Sequence, residues 1–105
     1  MAPPVRGSAP SGQPEVLSID DPIATDRWAY MDKKGNERIA EVAVGRPVPV
    51  DPHDPASDWY CPVRVEHFSP GVVTAMGVGP VDALLNATTL IEAFKASMVG
   101  VSPRA

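Results

Sequence analysis

At 105 residues the chain can hold one modest hydrophobic core and is too short for two. Its net charge is −4, with 9 Lys and Arg scattered along it; without a basic stripe, neither nucleic acid nor an anionic membrane is an expected partner. One cysteine excludes an internal disulfide framework and suits a reducing, cytoplasmic setting.

The sequence begins MAPPVRGSAPSGQP, which lacks the apolar stretch of a secretory signal. No later run approaches the roughly 20 apolar residues that span a bilayer. Residues 1–13 carry almost nothing to bury and read as a disordered arm. Residues 14–100 read as a single α+β domain, and 101–105 as a flexible tail. Within the domain PEVLSI (14–19) has the composition of a short strand, stopped by Asp20-Asp21-Pro22.

From Arg27 a hairpin is expected. RWAYMD and ERIAEVAV flank Lys33-Lys34-Gly35-Asn36, a turn in which Gly and Asn tolerate positive φ. In the second arm Ala40, Val42 and Val44 share one face, with Glu37, Ile39 and Glu41 on the other. Gly45-Arg46-Pro47 ends it. The following VPVDPHDPAS is too proline-rich for a central strand and is expected to cross a sheet edge.

DWYCPVRVEHF (58–68) has the cleanest period-2 alternation in the chain. Trp59, Cys61, Val63 and Val65 fall on an inward face, with His67 next on that row. Tyr60, Arg64, Glu66 and Phe68 face outward. Pro62 removes one ladder donor, so the strand lies at an edge or is bulged there. Ser69-Pro70-Gly71 turns into VVTAMGV, a strand expected to be antiparallel to its neighbour.

The last element is a helix, with Pro80 at its first position and Asp82 in its first turn, at the positive end of the helix dipole. Leu84, Ala87, Ile91, Phe94 and Met98 form its apolar stripe; Asp82, Asn86 and Thr89 lie opposite, and Gly100 stops it. The expected architecture is an antiparallel meander of three to four strands with this C-terminal helix packed on one face.

Few residues point to chemistry. Cys61 shares its face with Trp59, Val63 and Val65, where burial raises a thiol's pKa and suppresses the thiolate. His67 is roughly 20 Å further along an extended strand, outside the reach of a Cys–His pair. Asp51, His53, Asp54 and Asp58 match neither zinc nor calcium-loop spacing and read as a solvated loop. Gly77-Val78-Gly79 lacks the third glycine of a dinucleotide fingerprint and the Lys-Ser/Thr of a phosphate loop. It reads as a tight strand-to-helix connection, and no cofactor is implied.

Three landmarks recur in order: Gly45-Arg46-Pro47 after a strand, Asp58-Trp59-Tyr60-Cys61-Pro62 opening the next, and Gly77-Val78 leading to Ala83-Leu84 on the helix. Over about residues 27–98 the chain resembles a family of small bacterial domains of unknown function. Where that family shows Gly-Val-Asp and then Gln-Ala-Leu, this chain has Gly79 and Asp82. The resemblance implies strands followed by a helix, and no activity.

The functional expectation is a small non-enzymatic domain that binds or regulates another protein, in the manner of a toxin-neutralising immunity protein. Aromatic and charged residues on the sheet, Trp28, Tyr30, Tyr60, Arg64, Glu66 and Phe68, are the candidate contacts. The alternatives are a domain that associates with its own copy, and a small enzyme or ligand carrier using Asp51, His53, Asp54 and His67.

Overall fold

A computed structural model describes residues 16–103. It contains β1 (Ala24–Met31), β2 (Glu37–Val44), β3 (Val48–Pro49), β4 (Trp59–Val65), β5 (Val73–Gly77), α1 (Pro80–Ala96) and β6 (Val99–Pro103). The strands form one antiparallel sheet, so the fold is α+β with a helix near the C-terminal end, packed against β4 and β5. β6 and β1 lie at one side and β5 at the other, with β2 and β3 sharing the remaining edge of β4.

The β1–β2 hairpin is in register from Met31↔Glu37 to Ala24↔Val44, so β1 starts before Arg27. Its turn is held by Asp32, whose Oδ1 accepts hydrogen bonds from the Lys34 and Asn36 amides at 2.9 Å. Gly35 alone of the turn residues takes a left-handed φ, of 82°, at little cost to a residue without Cβ.

Three residues separate β2 from β3, one more than the stretch of β4 they face. Val44 faces Val63, whereas Val48 faces Tyr60, so residues 45–47 bulge opposite 61–62. The Gly45 amide donates to the Pro62 carbonyl at 2.8 Å. A strand residue's N–H and C=O point the same way, so the donor Pro62 lacks falls at the bulge, where the ladder is already broken.

The inward row of β4 is the centre of the core: Cys61, Val63 and Val65 have no exposed surface. Full burial of each valine stabilises the fold by about 1.5–3 kcal/mol. Across the sheet that row continues through Val42, Ala40, Trp28 and Tyr30 on one side and Ala75 on the other.

α1 begins as its sequence dictates. Gly79 is the N-cap and Pro80 follows it, while the Asp82 carboxylate accepts a hydrogen bond from the Val78 amide at 2.9 Å. Ala83 and Ala87 are fully buried, and Leu84, Ile91 and Phe94 pack partly buried around them. The seam runs on small residues because the helix backbone lies directly on Gly77. A Cβ there would come within 2.7 Å of the Ala83 Cα.

Several expectations change. Residues 16–19 form no strand, and Leu17 is exposed; positions 14–15, like 1–13, lie outside the described residues. The sheet has six strands instead of three to four, because β3 and β6 join it. Residues 101–103, expected in a flexible tail, belong to β6 and pair with β1, while 104–105 lie outside the described residues. The helix ends at Ala96, before Gly100. Gly100 uses its φ of 62° where the β1–β6 register shifts between Ala29 and Met31, a bulge in which a left-handed glycine supplies the extra residue.

Candidate functional site

The six candidate contact residues do not form one surface. Trp28 and Tyr30 are buried in the core at 9% exposure each. The Trp28 indole N–H donates to Asp26 at 2.9 Å, and the Lys95 ammonium sits 5.3 Å from its ring centroid. Phe68 was expected to face outward, but β4 stops at Val65 and the chain reverses: the Phe68 and Ser69 amides both donate to the Val65 carbonyl. His67 takes a φ of 72° within this turn. The reversal carries Phe68 to the core side, edge-on to Tyr30 with centroids 5.0 Å apart. It also moves His67 off the inward row into solvent.

Three residues remain on the face away from the helix. Glu66 is half-buried, and its carboxylate accepts the Glu41 amide at 3.1 Å, extending the β2–β4 pairing beyond the strand. Tyr60 is half-buried between its neighbours Val48 and Met76. Arg64 is exposed and lines a cleft of about 460 Å³ with Thr25, Arg27, Glu41 and Ala43. These residues alternate with the core row and so share the outer face.

The acidic loop is held by its own acids. Asp51 Oδ1 accepts the His53 amide at 3.0 Å, and Asp54 Oδ1 accepts the Ala56 amide at 2.9 Å. Ser57 Oγ accepts the Asp51 amide and donates to the Asp58 carbonyl. Side chains that cap their own turns explain why Asp and Ser alternate with proline here. His67 lies beyond the far end of β4 from this loop. Among the described residues no three His, Cys, Asp or Glu side chains are grouped so as to hold a metal ion.

Cys61 is fully buried, and burial pushes its thiol above the ordinary value of 9.0. Its Sγ–H donates to the Gly45 carbonyl at 3.3 Å. That contact fastens the bulge to β4 and leaves the thiol protonated and out of reach of a substrate.

The surface that the apolar periodicity did not single out is at the start of α1 and on the residues just before it. Val78, Val81 and Leu85 are 81%, 68% and 58% exposed. Val81 and Leu85 stand one turn apart on the helix surface, and the Asp82 bond holds Val78 against the first turn. The signal was present as a second i, i+4 apolar pair beside the core stripe. Asp82 and Glu92 are exposed on the same helix.

The sheet edges carry features that discourage pairing with another chain. On β5 the Met76 carbonyl is taken by the Asn86 side-chain amide at 2.7 Å. β6 is bulged at Gly100 and reaches Pro103, and β3 is two residues long and ends on Pro49. Bulges, prolines and short strands all reduce the template an edge presents.

No protein-family model, curated protein or solved structure matches the chain. No helix of the described residues is long and apolar enough to cross a membrane.

Proposed function

We propose that this chain is a small protein-binding domain, neutralising or regulatory in kind, that docks its partner on the outer surface of the first turns of α1. The observation that carries this reading is the exposure of Val81 and Leu85 one turn apart on α1, with Val78 exposed just before the helix. Scattered exposed apolar residues need no explanation, whereas adjacent ones on a rigid element favour a contact. A helix face read through an i, i+4 pair is a common recognition mode. The rim carries Asp82 and Glu92, and the chain is acidic overall, so the matching partner is a basic protein with an apolar recess. Arg64 and Tyr60 on the outer sheet face are the second contact region of this reading.

Self-association through a sheet edge is disfavoured by the guarded edges of β3, β5 and β6. A Cys–His or carboxylate reaction finds no support in a buried thiol and self-capped aspartates.

The test is affinity capture under native conditions with the tagged wild type and with Leu85→Asp, a largely exposed change that should leave the melting temperature within about 4 °C. The reading expects one partner at near-stoichiometric yield, lost with Leu85→Asp. Capture of nothing, or of a partner indifferent to Leu85→Asp, removes the helix from the interface. A concentration-dependent dimer in light scattering, dissolved by Leu85→Asp, would make the partner a second copy.

A further inference from the structure

At the opposite end of α1, about 25 Å away by helix rise, lies a second feature that does not depend on the helix-surface reading. A cleft of about 320 Å³ opens between the β1–β2 turn, the reversal after β4 and the start of β6. Its floor is the edge-to-face pair of Tyr30 and Phe68. Its walls are Met31, Met98 and Val99; Met98 is 7% exposed, whereas Met31 and Val99 are 38% and 68% exposed. The space is a product of the backbone irregularities above: the turn at 65–69 brings Phe68 inward, and the Gly100 bulge shifts β6 beside Met31.

The rim supplies the selectivity. Asp32 also lines the cleft, but its charge is already engaged: Oδ1 accepts two turn amides and Oδ2 faces Arg38 at 3.7 Å. Lys33 also lines the cleft, and among the described residues it has no carboxylate partner. Ser97, an exposed residue, lines the cleft as well. Apolar walls with a lysine and a serine among the lining residues fit an apolar body ending in an anion. The volume is at the small end of the roughly 300–1,000 Å³ of ligand pockets.

We propose that the Tyr30–Phe68 cleft binds a small apolar monocarboxylate, its aromatic or aliphatic body on the Tyr30, Phe68 and Met98 surface and its carboxylate at Lys33. Polarisable methionines at the walls accommodate different apolar shapes, so the body is selected by size and the end group by charge.

The experiment is a titration of the isotopically labelled full chain with 3-phenylpropionate, 3-phenylpropanamide and 2-phenylethylamine, read as amide chemical-shift changes. The three probes share one apolar body and differ in end charge. The proposal expects saturable shifts confined to residues 30–33, 68 and 97–100. The carboxylate should bind about two- to fivefold more tightly than the amide, the range of an exposed ion pair, and the amine most weakly. Salt should narrow the carboxylate's advantage. Lys33→Gln should abolish that advantage and leave the amide's affinity unchanged; Lys33 is an exposed turn residue, so the fold is retained. Equal binding of all three probes, preference for the amine, shifts elsewhere, or no saturation at millimolar concentration would each overturn the proposal.

Discussion

Replacing Gly77 with alanine probes the helix-to-sheet contact on which the fold depends. The new Cβ would lie 2.7 Å from the Ala83 Cα and 2.8 Å from the Asp82 carbonyl carbon, and would also crowd the Ala83 nitrogen. These are helix backbone atoms, so no side-chain rotation relieves the clash. Carbon–carbon contacts settle near 3.5–4.0 Å, and α1 must therefore withdraw by about 0.8 Å or more. A gap of that size forfeits about a quarter to a half of the dispersion energy across the Ala75, Ala83 and Ala87 seam. Overpacking of this kind costs about 1–3 kcal/mol. Restricting the unfolded chain returns up to about 1 kcal/mol. Because the contacted atoms are unyielding helix backbone, the overpacking cost falls in the upper part of its range, about 2–3 kcal/mol. The net expectation is a loss of about 1–2.5 kcal/mol, or a fall of roughly 5–20 °C in melting temperature for a domain of this size. Urea and thermal unfolding followed by circular dichroism measure it. Gly79→Ala is the control, since nothing lies within 4 Å of its Cβ position; only the modest N-cap preference for glycine over alanine is lost. If Gly77→Ala is as stable as wild type with an unchanged denaturant slope, α1 does not sit on β5 as described.

Other expectations follow from the same packing. Cys61 should resist iodoacetamide in native buffer and react fully in urea, and Cys61→Ala should cost about 1 kcal/mol. Serine at that position keeps Gly45 as an acceptor, so Cys61→Ser should cost less than an unpartnered buried hydroxyl would. Because burial raises the folded thiol's pKa, the unfolded thiol ionises first as pH rises. Wild type should therefore lose stability relative to Cys61→Ala above about pH 9.0, with the two differing by a constant at lower pH. Phe68→Ala removes the edge partner of Tyr30 and should cost about 2–3 kcal/mol by urea unfolding, below the range for a fully buried ring because Phe68 is half-buried. Ile91→Ala should cost about 1–3 kcal/mol for the same reason.

The elements written in local periodicity were legible. The β1–β2 hairpin, the alternation of β4 and the start of α1 at Pro80 each follow from spacing or a single conformational preference. The burial of Cys61 followed too, because its row is apolar on both sides. What escaped depends on distant or ambiguous signals. Gly100 advertises positive φ, but a helix stop and a strand bulge both require it, and only pairing with β1 decides between them. Strand alternation put Trp28 and Tyr30 on one face without saying that this face lies on the core. Phe68 was misplaced because period-2 counting assumes the strand continues, and the reversal after Val65 ends it. Val81 and Leu85 were overlooked beside a stronger stripe. On the candidate site, residue chemistry alone indicated a contact surface of aromatics, whereas packing withdrew most of them and left aliphatic residues on the helix.

The most direct test of the binding reading is amide hydrogen exchange on the chain free and in complex with the partner it captures. Docking on α1 predicts added protection at residues 78–89, with at most a secondary footprint around Tyr60 and Arg64. Protection on the outer sheet face with residues 78–89 unchanged would contradict it.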